Sequence, residues 1–295
     1  MKVGYPCINK SIKHHSRSTF RLASYSESRL IQTVRDNLTH LDKILKYNVE
    51  NQLLFFRISS DLVPFASHPI CKFNWVNYFK PEFRQLGQYI KANNIRISMH
   101  PDQFVILNSS NEKVTNSSIS ELEYHCNILD AMGLDQTAKV QIHVGGVYGD
   151  KPTATKRFIE CYYTLNDSIK ERIAIESDDH LFNLKDCLEI NEVTGIPVIF
   201  DNFHHECFNY TEESTVQAIK KAISTWKVKD GLPMLDYSSQ SKGDRKEKHA
   251  ITLDSWLFQK FIMETQRLDF DLMLEIKDKE KSAKLALKLL YDTKQ

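Results

Sequence analysis

Eight short apolar or β-branched runs, separated by amphipathic stretches over 295 residues, predict a (β/α)8 (TIM) barrel built as a single domain, residues 1–295. Two observations favour it over an open, doubly wound sheet. No glycine-rich dinucleotide fingerprint follows the first run, and polar residues end nearly every run instead of gathering at one crossing point. The strands are predicted at 2–7, 52–59, 95–100, 138–144, 172–176, 196–201, 232–238 and 270–276.

The helices follow from spacing. After the first run, Leu30, Ile31, Val34, Leu38, Leu41, Ile44 and Leu45 recur at helical intervals and predict a helix from Glu27 to Tyr47. Ser117 to Met132 and Thr153 to Ile169 follow the third and fourth runs. Between the latter two, Gly145-Gly146-Val147-Tyr148-Gly149 lacks the Lys-Ser or Lys-Thr of a phosphate loop, so it reads as a strand-to-helix turn. Thr211-Glu212-Glu213 opens a further helix with acidic residues where the helix dipole favours them. Lys279 to Tyr291 closes the chain.

Hydrophobic residues at 41% and charged residues at 26% exclude a disordered or fibrous chain. No apolar stretch nears the roughly 18 residues that span a bilayer. The N-terminus lacks the apolar core of a signal peptide, so a cytoplasmic protein is expected, without membrane association and monomeric. The cysteines Cys7, Cys71, Cys126, Cys161, Cys187 and Cys207 form no CxxC pair and read as separate reduced thiols. A net charge of +1 favours no partner in bulk. The segment from Lys10 to Arg21, which includes Lys13 and Arg17, carries no acidic residue and follows the first strand; Lys242 to Lys248 is mixed in sign.

The strand ends carry the chemistry. Ile95-Arg96-Ile97-Ser98-Met99 runs into His100, and Val140-Gln141-Ile142 into His143. Ile173-Ala174-Ile175 meets Glu176, Pro197-Val198-Ile199-Phe200 meets Asp201, and Leu272-Met273-Leu274 meets Glu275. An unpaired carboxylate at a buried strand tip costs several kcal/mol, so the series implies a cation where the tips converge. In a barrel of this kind the same face also receives Tyr5, Asn9, His68 and Asp236, with His204 and His249 from the loops. The mixture of imidazole and carboxylate suits manganese, zinc, iron or cobalt better than magnesium alone. There are enough donors for two or three divalent ions if Glu176 bridges. Glu275 lies two residues before Lys277, so a simple ion pair competes for it. His14, His15, His40, His125 and His180 are left as surface or structural.

The ordered motifs resemble the UV damage endonucleases, metal-dependent (β/α)8 DNA repair nucleases. They are Gly4-Tyr5-Pro6 with Asn9; Arg57-Ile58-Ser59-Ser60-Asp61-Leu62 with Pro64 and His68; and Ser98-Met99-His100-Pro101-Asp102-Gln103-Phe104 with Leu107-Asn108. Next come Ile142-His143-Val144-Gly145-Gly146 with Tyr148, Gly149 and Lys151, then Glu176-Ser177-Asp178-Asp179, Asp201-Asn202-Phe203-His204-His205 and Met273-Leu274-Glu275-Ile276-Lys277. The resemblance covers nearly the whole chain.

It implies cutting of duplex DNA 5′ to UV photoproducts and at abasic sites, leaving 3′-OH and 5′-phosphate ends, with no nucleotide cofactor. Manganese is the first choice of metal, with zinc, cobalt or magnesium as alternatives. It implies that His100, His143 and Glu176 hold one ion, that Glu176, Asp201, Asp236 and Glu275 surround a second, and that His204 and His249 serve a third. Glu176, His68 and Lys277 are the expected catalytic groups. Gln103 and Phe104 match a pair pushed into the duplex; Tyr5, Asn9, Tyr148 and Lys151 join Lys10, Lys13 and Arg17 as expected DNA contacts. Three positions depart from the pattern, one of them Pro6-Cys7, which varies between members and where Cys7 is given no role. Met234-Leu235-Asp236 stands where some members carry Lys-x-His, with the lysine open to carboxylation, and Phe104 stands where some carry Tyr. A metal-dependent sugar isomerase and a lesion-binding protein without catalysis are the competing readings.

Overall fold

The computed structural model describes residues 1–12, 16–209 and 213–292. Its eight strands are β1 (Val3–Pro6), β2 (Phe55–Ile58), β3 (Arg96–Met99), β4 (Lys139–His143), β5 (Ile173–Glu176), β6 (Val198–Asp201), β7 (Met234–Tyr237) and β8 (Asp271–Leu274). Each pairs in parallel with the next, and β8 closes on β1. The helices are α1 (Glu27–Glu50), α2 (Trp75–Tyr78), α3 (Lys80–Ala92), α4 (Glu112–Ala131), α5 (Lys151–Thr164), α6 (Asp167–Arg172), α7 (Leu184–Thr194), α8 (Asn202–Cys207), α9 (Thr215–Ser224), α10 (Ser255–Thr265) and α11 (Glu280–Asp292). The predicted TIM barrel is the observed fold. No helix among the described residues is long and apolar enough to cross a membrane.

Strand alternation sets what faces inward. Val3, Tyr5, Phe56, Ile58, Val140 and Ile142 belong to the large core between barrel and helices. A separate apolar layer fills the interior with Phe55, Ala174, Ile199, Met234 and Met273. Two residues further along the same strands stand Arg57, Glu176, Asp201, Asp236 and Glu275. The period of two therefore lays a charged layer directly above an apolar plug. Gly4 is the β1 residue on the inner face: a Cβ there would lie 2.0 Å from the Phe55 carbonyl oxygen, so only glycine lets Phe55 fill the barrel.

Local differences from the predicted elements have identifiable causes. The predicted strand at 52–59 starts only at Phe55, because α1 runs three residues further and Leu53 N–H still bonds the Asn48 carbonyl at 2.8 Å. The stretch predicted as one helix from Thr153 to Ile169 is two, because Asn166 caps α6 by accepting from Ile169 N–H at 2.9 Å. The helix predicted to open at Thr211 is α9 and begins at Thr215, where Ser214 and Gln217 form a capping box; Thr211 and Glu212 lie outside the described residues. Such a cap stabilises by ~1 kcal/mol, enough to decide a boundary within a continuous helical pattern.

Candidate active site

The C-terminal ends of β3 to β6 bring four predicted groups around one carboxylate. Glu176 ends β5, is 1% exposed, and pairs in register with His143 at the end of β4. Its Oε2 lies 3.2 Å from His100 Nε2 and 3.7 Å from His143 Nε2, and its Oε1 lies 3.1 Å from His204 Nδ1. Asp201 ends β6 and caps α8 by accepting from His204 N–H at 2.7 Å, which delivers His204 to the same spot. Two overlapping triads can hold an ion, with donor atoms within 4.8 Å of one another: His100, His143 and Glu176, and Glu176, Asp201 and His204.

The histidine environments suit ligation. His100 Nδ1 bonds the Pro101 carbonyl, His204 Nδ1 the Ser177 carbonyl and His249 Nδ1 the Glu275 carbonyl, each at 2.9 Å. In His100 and His249 the backbone acceptor on Nδ1 fixes the tautomer and leaves the Nε2 lone pair free, the usual support for a metal-binding imidazole. Asp201 Oδ2 is buried without a hydrogen-bond partner, which a bound cation would supply. Burial pulls against a charge on His204, yet Asp201 and Glu176 together hold its pKa up at about 12. Burial also opposes the Glu176 carboxylate, and the surrounding imidazoles, His143 foremost, carry it well below the usual range. A proton on His204 thus does the neutralising that a divalent ion would do in this donor set.

Two expected ligands sit in a different arrangement. Asp236, fully buried in β7, accepts from Arg57 Nη2 at 2.8 and 2.9 Å and from Gln141 Nε2 at 2.6 Å. Burial pushes its carboxyl up and Arg57 pulls it down; with only N–H donors against it, the carboxylate is the form that satisfies this pocket. Glu275 pairs with Arg57 Nη1, not with Lys277. Burial acts to raise its pKa, and Arg57 overrides this to hold it at about 2. Neither joins a metal-capable triad among the described residues. His249 stands at the edge, its ring 6.0 Å from that of His204.

Tyr5 and Asn9 are fully buried in the free protein. Tyr5 faces α1, donating to Asn48 at 2.6 Å, and Asn9 donates to the Tyr5 hydroxyl at 2.8 Å while its Oδ1 accepts from Ser11 and Ile12 N–H. They brace the start of the basic segment from within. Lys151 is tied to Asp186 at 2.8 Å, with its ammonium 5.4 Å from the Phe182 ring centre. His68 is exposed and lines a cleft with Asp102 and Phe104. Lys10 and Arg17 are exposed; Lys13 lies outside the described residues.

The remaining groups rim the site. Phe104 is 60% exposed and Gln103 is exposed beside it, on the loop that follows His100. Gly145, at φ +115° and with Asn108 Oδ1 only 2.4 Å from where a Cβ would be, lets the next loop fold close beside it, and Tyr148 stands half-exposed there. A cleft of about 420 Å³ is walled by His100, His143, Glu176, His204, His249 and Glu275, with Lys277 and Lys279. An adjoining one of about 530 Å³ adds Arg245 and Lys246. Lys279 and Gln141 carry no role in the sequence analysis; Arg57 enters it only within a motif, and Arg245 and Lys246 only within the mixed-sign segment Lys242 to Lys248. Arg57 and Gln141 are found by stepping back two residues from each strand-end group, or along the register.

A sequence model of the family described as UV-endonuclease UvdE matches residues 1–294. The UV DNA damage endonuclease of Clostridium perfringens is 37% identical over 284 residues, 96% of this chain and 69% of that protein. The crystal structure of SacUVDE superposes with a TM-score of 0.96 at 44% identity, covering 100% of this chain and 99% of the other. A D-psicose 3-epimerase, at 12% identity and a TM-score of 0.59 over 99% of this chain and 98% of that one, shares the barrel alone. The chain belongs to the UV-endonuclease UvdE family, a family of DNA-cutting enzymes.

Proposed function

We propose that this chain cuts damaged duplex DNA on the 5′ side of UV photoproducts, cyclobutane dimers and 6-4 products included, and at abasic sites. The observation that carries this reading is the buried Glu176 carboxylate ringed by three imidazole nitrogens and sharing its triads with an unpartnered Asp201 oxygen, on the floor of a cleft with cationic walls. Such a floor binds cations, and a phosphodiester bound over it meets positive charge from below and from the rim.

Divalent ions held by His100, His143 and Glu176, and by Glu176, Asp201 and His204, would lower the pKa of a water and neutralise the phosphate; manganese fits the nitrogen and oxygen donors. The water oxygen bonds to phosphorus as the bond to the 3′ oxygen breaks, leaving 3′-OH and 5′-phosphate ends. Lys277, on the cleft wall, offsets charge on the departing oxygen. Arg17 and Lys10 grip phosphates along the path into the site.

Gln103 and Phe104 enter the stack. Phe104 has surface to give up, being mostly exposed in the free protein. A photodimer already weakens stacking, so opening the duplex there costs less than the few kcal/mol of an intact step. Selection by deformability accounts for lesions of unlike chemistry.

The test is incubation of irradiated and unirradiated supercoiled plasmid with the protein and Mn²⁺. Conversion of the irradiated plasmid alone to nicked circles, with ends that a ligase-ready 5′-phosphate assay detects, is expected. Intact irradiated plasmid, alongside isomerisation of a free sugar, would assign the barrel to the epimerases that share its fold.

A further inference from the structure

One polar side chain interrupts the apolar stripe of α1. Leu30, Val34, Leu38, Leu41 and Ile44 bury one face of the helix, and Asn37, also fully buried, lies among them. A buried amide is costly unless it is hydrogen-bonded, and here the bonds go to two loops. Asn37 Oδ1 accepts from Ser18 N–H at 2.7 Å, and its Nδ2 donates to the Ser18 carbonyl at 3.0 Å. The same Nδ2 donates to the Asp61 and Leu62 carbonyls, at 3.1 and 3.2 Å, in the turn after β2. The Phe20 ring adds a second anchor, 5.2 Å from that of Phe65 on the loop after β2 and 5.0 Å from the Arg29 guanidinium. Ser18 is itself exposed, where water would satisfy its backbone equally well. The buried amide therefore fixes where Ser18 stands; it does not rescue a group that lacked a partner.

We infer that Asn37 is a positioning residue for DNA binding: by clasping both backbone groups of Ser18 it presets the neighbouring Arg17 as a phosphate contact at the cleft mouth. This rests on the DNA-cutting reading above and deepens it. Arg17 is exposed and makes no ion pair among the described residues, so its charge is uncommitted. That charge is felt from two sides. Burial raises the Cys7 thiol, on the wall of the cleft above Glu176, and Arg17 is among the groups that oppose the rise. Burial also raises the Asp61 carboxyl, in the cleft beside Phe104, and Arg17 opposes that rise too. The guanidinium thus stands between the carboxylate floor and the Phe104 loop, on the path of a strand that reaches both. An arginine on a free loop gives up backbone freedom when it grips a phosphate. One whose backbone is already clasped has given it up in advance, so more of the attraction appears as affinity. Asn37 is buried and does not touch DNA; it acts through Arg17.

The experiment is a double-mutant cycle read on binding. Mn²⁺-loaded protein is titrated onto a fluorescein-labelled, unirradiated duplex, and anisotropy is followed at graded KCl. Phosphate contacts do not depend on a lesion, so this duplex reads them alone. Arg17→Ala is expected to weaken binding several-fold and to lower the slope of log affinity against log salt by about one. Asn37→Ala is expected to do the same. The double variant is expected to bind no more weakly than either single one, because the second change removes nothing that the first left in place. Asn37→Ser, a small polar replacement too short for the clasp, gives the same comparison if Asn37→Ala does not fold. An Asn37 variant that is less stable yet keeps the wild-type salt slope overturns the inference. So do additive losses in the cycle, or an Arg17→Ala protein that binds like wild type. A wild type whose binding to the duplex shows no salt dependence refutes the DNA reading on which the inference rests.

Discussion

At the N-terminal end of the barrel, Lys139 Nζ meets Asp230 at 2.6 Å and the Glu171 carbonyl at 2.8 Å, and Arg96 meets Asp271 at 3.3 Å. At the C-terminal end, Asp236, Glu275 and Glu176 gather around Arg57, while Asp201 keeps an oxygen without a hydrogen-bond partner. The apolar layer of Phe55, Ala174, Ile199, Met234 and Met273 separates the two. Each buried charge at the lower end has its opposite within the protein, so that end is closed and structural. The upper end has more carboxylates than the protein neutralises, and His100 and His249 keep a ring lone pair free. Buried charge alone therefore does not mark a site; uncompensated buried charge does.

The largest expected effect is at the shared carboxylate. Glu176→Ala removes a ligand from both triads, so incision should fall on the order of a thousandfold or more, with metal content falling in parallel. A nicking assay and metal analysis on the same preparation check this, and wild-type cutting would dissolve the contrast between the two ends. The lower end should respond in stability instead. Lys139→Met leaves Asp230 buried and unpaired and should cost about 3–5 kcal/mol in denaturant unfolding, with bound metal unchanged. A loss of metal in that variant would show that the ends are coupled through the plug.

A third buried group sharpens the distinction. His125 on α4 is buried with Nε2 unpartnered, and burial lowers its pKa to about 4, opposite in direction to His204. Its folded pKa lies below the unfolded value of 6.5, so the unfolded chain binds more protons between the two. Stability should therefore fall as pH drops from 6.5 towards 4, by up to about 3 kcal/mol from this residue. His125→Gln should flatten that part of the profile relative to wild type, as read by unfolding at each pH. The smallest expected effect is at the rim. Phe104→Ala should leave stability and metal count alone and reduce preference for irradiated over intact DNA roughly tenfold, the scale of one lost stacking contact. A competition binding assay reads it, and loss of metal instead would put the loop in the wrong place.

Much of this was legible in the chain. Short β-branched runs such as Ile173-Ala174-Ile175 set the strands, and the charged residue after each run set the floor of the site, because a strand tip in a parallel barrel has one place to point. Asp236 and Arg57 were harder to place. Both lie inside strands, where a polar residue reads as either inward or outward, and their pairing spans 179 positions. The burial of Tyr5 was not legible in the chain, because β1 turns Gly4 inward, a choice set by Phe55 on the neighbouring strand. Lys151 looked free because its partner Asp186 lies 35 residues away on another helix.

The most direct test of the whole account is an anomalous-scattering map from crystals grown with Mn²⁺. Peaks within coordination distance of His100, His143 and Glu176, and of Glu176, Asp201 and His204, are the predicted result. A map with no peak at Glu176, its carboxylate still held only by histidines and Gln141, would contradict it.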